Sequence, residues 1–79
     1  MPTILRIDGF RFHFYSDEGN EPPHVHVAYN AGECKFWLEP IILANNRGIK
    51  PRILRKIEKL VFENQLLLLE KYNEHHRKN

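Results

Sequence analysis

The pair Asp8-Gly9 constrains this chain most, because it stands between two alternating runs, Thr3-Ile4-Leu5-Arg6-Ile7 and Phe10-Arg11-Phe12-His13-Phe14. Aspartate and glycine tolerate the positive φ angles of a two-residue hairpin turn, so the two runs are expected to pair as antiparallel strands. That turn sets Ile7 opposite Phe10, Leu5 opposite Phe12 and Thr3 opposite Phe14, which makes one face almost wholly apolar. The other face sets Arg6 opposite Arg11 and Ile4 opposite His13. Like charges directly across a strand pair repel, so that face calls for an anion or a nearby carboxylate.

The same reasoning gives a second hairpin. His24-Val25-His26-Val27-Ala28-Tyr29 and Cys34-Lys35-Phe36-Trp37-Leu38 both alternate, with Asn30-Ala31-Gly32-Glu33 as the turn. With Asn30 opposite Glu33, Tyr29 meets Cys34, Val27 meets Phe36 and Val25 meets Leu38 on the apolar face, and Ala28-Lys35, His26-Trp37 and His24-Glu39 pair on the polar one. The segment from Ser16 to Pro23 carries glycine, asparagine and two prolines and is expected to be a loop. Pro40 ends the fourth strand, a short extra extended piece has room at residues 41–43, and Asn45-Asn46-Arg47-Gly48 reads as a turn.

Pro51 suits the first position of a helix, where its missing N–H would have no partner, and nothing from Ile53 to about His75 breaks one. At 100° per residue, Ile53, Leu54, Ile57, Leu60, Val61, Asn64, Leu67, Leu68 and Tyr72 share one broad stripe, which should cover the apolar face of the sheet. Phe62, Leu66 and Leu69 fall on the opposite side and read as an interface with another chain. The expected fold is α+β: a four-stranded, mainly antiparallel sheet of two hairpins within residues 1–44, a turn at 45–50, and one long helix over 51–76 covering one face. Its expected core holds Leu5, Ile7, Phe10, Phe12, Phe14, Val25, Val27, Phe36, Leu38, Ile53, Ile57, Leu60, Val61, Leu67 and Leu68.

A chain of 79 residues holds one core, which excludes a multidomain enzyme. Its longest apolar runs, four residues each, exclude a helical membrane span, and with no secretory signal visible a cytoplasmic protein is expected. A single cysteine, Cys34, leaves stability to packing. Charge is unevenly placed: residues 1–40 hold three basic and six acidic side chains, a balance of −3, whereas residues 41–79 hold nine and four, a balance of +5. Arg47, Lys50, Arg52, Arg55, Lys56 and Lys59 crowd into thirteen residues beside only Glu58, forming a candidate anion or acidic-partner surface.

The open sheet face is expected to carry Arg6, Arg11, His13, Tyr15, His24, His26, Lys35, Trp37 and Glu39. Cations there neutralise phosphates and Trp or Tyr stacks on bases, so RNA or DNA is an expected partner, with Arg52, Arg55 and Lys59 at the helix start adding phosphate contacts. His13, His24 and His26 are the acid/base candidates. His24-x-His26 also has a spacing that chelates a transition metal, with His13 or Glu39 as third ligand, but no cofactor signature accompanies it and none is expected. His75 and His76 are expected to be solvated.

The segments Phe12-x-Phe14-Tyr15-Ser16-x-Glu18-Gly19, Glu21-Pro22-Pro23-His24-Val25-His26-Val27, Lys35-Phe36-Trp37-Leu38 and Asn46-Arg47-Gly48 resemble a family of small bacterial proteins catalogued as a domain of unknown function. The resemblance spans nearly the whole chain. It departs at Lys50-Pro51, where a serine-type cap is more usual. It implies a component of a small two-gene, toxin–antitoxin-like module, with a partner encoded nearby, and assigns no catalytic residue. Three functions are therefore expected to compete: nucleic-acid binding or processing through the sheet face, a protein-binding adaptor or homodimer using Phe62, Leu66 and Leu69, and a metal-dependent enzyme using His24 and His26.

Overall fold

The computed structural model describes residues 3–15 and 20–76. Five strands, β1 (Thr3–Ile7), β2 (Phe10–His13), β3 (His24–Tyr29), β4 (Gly32–Leu38) and β5 (Ile41–Arg47), form one antiparallel meander in chain order, followed by α1 (Pro51–Glu63) and α2 (Gln65–His76). The α+β class stands, with five strands in place of four and two helices in place of one.

Asp8 and Gly9 adopt φ angles of 51° and 84°, the two positive values a type I′ turn requires, and they fix Ile7 opposite Phe10, Arg6 opposite Arg11 and Leu5 opposite Phe12. A bulge between Thr3 and Leu5 then sets Thr3, rather than Ile4, opposite His13, and Phe14 lies beyond the end of β2, although it stays fully buried. In the second hairpin the expected register is displaced by two residues. The turn tightens to Asn30-Ala31, with Asn30 at φ 52°, and Tyr29 pairs with Gly32, Val27 with Cys34, His26 with Lys35 and His24 with Trp37. A two-residue displacement keeps every side chain on its face, so alternation alone does not distinguish the two registers. Glu39 consequently falls in the turn after β4 and has no partner in β3.

The residues expected as a turn at 45–47 belong to β5, paired with β4 from Leu38↔Ile41 to Glu33↔Arg47 around a bulge between Lys35 and Phe36. The chain turns only afterwards, at Gly48 (φ +85°), where the Asn46 side chain both donates to Ile49 O (2.9 Å) and accepts from Ile49 N (3.1 Å). Gly32 lies against this turn; a Cβ there would stand 2.7 Å from Ile49 Cγ1 and 3.0 Å from the Gly48 backbone.

Pro51 occupies the start of α1 as its fixed φ favours, and Lys50 before it supplies no side-chain cap. The single long helix is interrupted at Asn64 (φ −117°, ψ 18°), whose Nδ2 donates to Leu60 O at 2.8 Å while Leu68 N reaches back to Asn64 O at 2.8 Å. Asparagine's short amide competes for helix carbonyls in this way, and the Gln65 side chain ties the break to the sheet by donating to Leu38 O at 2.6 Å.

The helices cover one sheet face, burying Phe10, Phe12, Phe14, Val25, Val27, Cys34, Phe36, Leu38 and Ile49 against Ile57, Val61, Leu68 and Tyr72. Leu5, Ile7, Ile53 and Leu60 pack around this core half-buried, whereas Leu67, expected inside, is 38% exposed. Leu69, expected outward, packs partly against the core, since the break at Asn64 resets the phase of α2. Phe62 and Leu66 are exposed at 59% and 81%. His75 and His76 are half-buried rather than fully solvated, with their rings 5.6 and 6.2 Å from that of Phe14. Among the described residues no helix is long and apolar enough to cross a membrane.

Candidate nucleic-acid interface

Antiparallel pairing arranges the face away from the helices in rows. One row across the sheet reads Arg6, Arg11, Ala28, Glu33 and Arg47; the next reads His13, His26, Lys35 and Asn45; the third reads His24, Trp37 and Ile42. Arg6, Arg11 and Arg47 are exposed, while Ala28 is a small, buried residue between Arg11 and Glu33. The first row is therefore cationic at both ends, with one carboxylate between.

Tyr15, just beyond β2, folds over the first two rows. Its hydroxyl donates to Glu33 Oε2 at 2.8 Å, and its ring lies edge-on to those of His26 (4.4 Å) and His13 (5.1 Å). Glu33 Oε2 is also 3.3 Å from His26 Nδ1 and 3.8 Å from His13 Nε2, and the two imidazoles stack 5.7 Å apart. One carboxylate thus organises a tyrosine and two histidines. Burial holds His13 below its ordinary pKa of 6.5, with Glu33 acting in the opposite direction and His26 and Arg11 adding to the depression. A shallow depression of about 380 Å³ opens here, lined by Tyr15, His26, Glu33, Lys35, Asn45 and Arg47 among others.

At the other end of the face, the Lys35 ammonium donates to Glu21 Oε1 at 2.5 Å and stands 4.5 Å above the Trp37 ring, which is half-exposed. His24 lies beneath this end. Its Nδ1 is 2.9 Å from Pro22 O, and its ring touches those of Trp37 (5.8 Å) and Tyr72 (5.5 Å). Tyr72, reaching round from α2, donates to Glu21 O at 3.0 Å and holds residues 21–23 over His24.

The expected face is present but its histidines are not open to water. His13 and His26 are 8% and 7% exposed and His24 is fully buried, because Tyr15, residues 21–23 and Tyr72 cover them; they position other groups more than they meet solvent. Among the described residues no group of three or more His, Cys, Asp or Glu side chains is arranged to hold a metal ion, which leaves the His24-x-His26 pair without a third ligand. Cys34 points to the core, where burial pushes its thiol up to about 12. Arg52, Arg55 and Lys59 are exposed on α1, which packs against the far side of the sheet, so they do not join the rows.

Glu33, Glu21 and Tyr72 are site residues that the sequence does not assign to this face, and Arg47, expected in the basic cluster before the helix, stands instead in the first row of the sheet. Glu33 had a signal, since residues 33, 35 and 37 share the polar phase of β4. The Glu21 and Tyr72 contacts, between residues 51 apart, left no periodic trace.

Compared with known proteins, residues 9–73 match a family model described as Domain of unknown function (DUF4160). No curated protein and no solved structure matches the chain.

Proposed function

The chain belongs to the Domain of unknown function (DUF4160) family, and from that footing we propose that it binds single-stranded nucleic acid through the open face of its sheet, within a small toxin–antitoxin-like module. The observation that carries this reading is the row Arg6, Arg11, Ala28, Glu33, Arg47, with three exposed guanidinium groups flanking a low, preorganised centre. Neighbouring strands stand about 4.8 Å apart, so Arg6 and Arg11 suit adjacent phosphates and Arg47, three strands beyond Arg11, one roughly 14 Å away, while the half-exposed Trp37 offers a stacking surface in the third row. Tyr15, Glu33 and His26 hold the floor of the depression rigid, so phosphate contacts form without ordering long loops.

The test is fluorescence anisotropy of a labelled single-stranded RNA oligonucleotide, measured across a salt series. Arg11→Ala and Arg47→Ala each lower the slope of log affinity against log salt by about 0.7, the value for one phosphate contact on a single strand. Trp37→Ala weakens binding without changing the slope, because stacking releases no counterions. Equal affinity in the unmodified protein and all three variants, each folded by circular dichroism, removes nucleic acid from this face.

A further inference from the structure

β5 is an edge of the sheet: β4 pairs with one side of it, and its other side faces outward. The sequence Ile-Ile-Leu-Ala-Asn-Asn-Arg contains neither proline nor lysine, the residues that commonly guard an edge. Its bulge lies at Ala44, so Ile41–Leu43 is a straight apolar stretch, and Ile42 and Leu43 are 53% and 40% exposed. Two more exposed apolar side chains, Phe62 and Leu66, lie on the helices three residues before and one after Gln65, whose side chain is bonded to Leu38, the direct partner of Ile41.

The other end is cationic. Arg47 closes β5, and the exposed Lys50, Arg52 and Arg55 follow it within eight residues of chain, Lys50 and Arg52 bordering with Gly48 a depression that reaches to the β3–β4 turn. Among the described residues none of these four forms an ion pair. The first turn of α1 holds no acidic residue, so the positive end of the helix dipole adds to the same field. The edge is thus apolar at one end and positive at the other.

We infer that β5 and the adjoining flank of α1 form a docking edge for an extended segment of a partner protein, apolar along half its length and acidic along the other, which adds as a sixth strand. Charge complementarity selects this occupant. A second copy paired about a two-fold axis would run antiparallel, setting each apolar end against the other copy's cations and leaving both clusters uncompensated. Nucleic acid would satisfy the cations but not the Ile42, Leu43, Phe62 and Leu66 end. The edge shares Arg47 and Ile42 with the open face proposed above to bind nucleic acid, and differs from it in Arg52, Arg55, Phe62 and Leu66, which belong to the helices on the other side of the sheet.

The experiment uses the full chain with two capped decapeptides, each made in both chain directions: one with five valine or isoleucine residues followed by five glutamates, the other with lysine replacing glutamate. Hydrogen exchange reports strand addition at the backbone. The acidic peptide should slow exchange of the residue 41–47 amides at least tenfold, the lysine peptide should not, and affinity should fall at least tenfold in Phe62→Glu and in Arg52→Glu. Leu66→Glu, at the more exposed position, replaces Phe62→Glu if that variant does not fold. The inference is overturned if neither peptide protects β5 at millimolar concentration or both protect it equally. It is also overturned if sedimentation shows a dimer with β5 already protected, or if single-stranded RNA alone protects the same amides.

Discussion

Removing the hydroxyl of Tyr15 tests whether Glu33 organises the sheet face. The bond to be lost is 2.8 Å long and joins a phenol to a carboxylate whose side chain is 22% exposed. Hydrogen bonds to charged groups contribute about 1.5–3 kcal/mol, and water reaching a partly open carboxylate offsets some of the loss. Tyr15→Phe should therefore destabilise the protein by about 1–1.5 kcal/mol. With a denaturant slope of about 1 kcal/mol/M for a domain of this size, the urea midpoint falls by about 1–1.5 M. The same change lowers the thermal midpoint by several degrees, since about 4–8 °C corresponds to each kcal/mol in a small domain. Because Glu33 also faces His13 and His26, the single substitution does not isolate the bond, and a cycle with Glu33→Ala and the double variant does. A coupling energy near 1 kcal/mol is expected. If the two single effects add to within about 0.5 kcal/mol, Tyr15 and Glu33 do not act as a unit and the carboxylate-centred reading of the face fails.

Two further expectations follow from buried groups. His13 is held below its usual value mainly by burial, so the unfolded chain takes up its proton first as pH falls; this stabilisation is complete above pH 6.5 and is lost progressively below it. Urea midpoints should drop through that range and drop less in His13→Gln; a midpoint independent of pH between 7 and 5 contradicts the assignment. Gly32→Ala places a Cβ 2.7 Å from Ile49 Cγ1 and 3.0 Å from the Gly48 backbone, an overpacking that should cost about 1–3 kcal/mol by urea denaturation. Unchanged stability in that variant would mean the β5–α1 turn yields freely.

The parts of this fold legible in the sequence are those fixed by local chemistry. Asp8-Gly9 allows one turn geometry, so the register near it was legible, and strict alternation assigned His24, His26, Lys35 and Trp37 to the face away from the core. Displacement by an even number of residues leaves that alternation intact, which is why the pairing of β3 with β4 was not legible while its faces were. Only the first three residues of β5 are legible as an extended piece, because an edge strand exposed over six of its seven residues has no hydrophobic period to read. Asn64 fits a helical stripe by position, yet it ends α1 through its own amide, a competition that periodicity does not register. The cover over the histidines depends on Tyr72 meeting Glu21, a long-range contact between segments that look ordinary in isolation.

The meander order also bears on how quickly the native state is reached. Every strand pairs with its neighbour in the chain, and the connections among β3, β4 and β5 are two residues long, so each ladder closes a small loop at low entropic cost. Sheets with crossovers must first bring distant segments together, and their folding rates fall accordingly. Here the sheet can zip hairpin by hairpin, leaving the return of α2 to residues 21–23 as the principal distant closure. Substitutions at Tyr72 should accordingly appear in the unfolding rate, and those at Asp8-Gly9 in the folding rate.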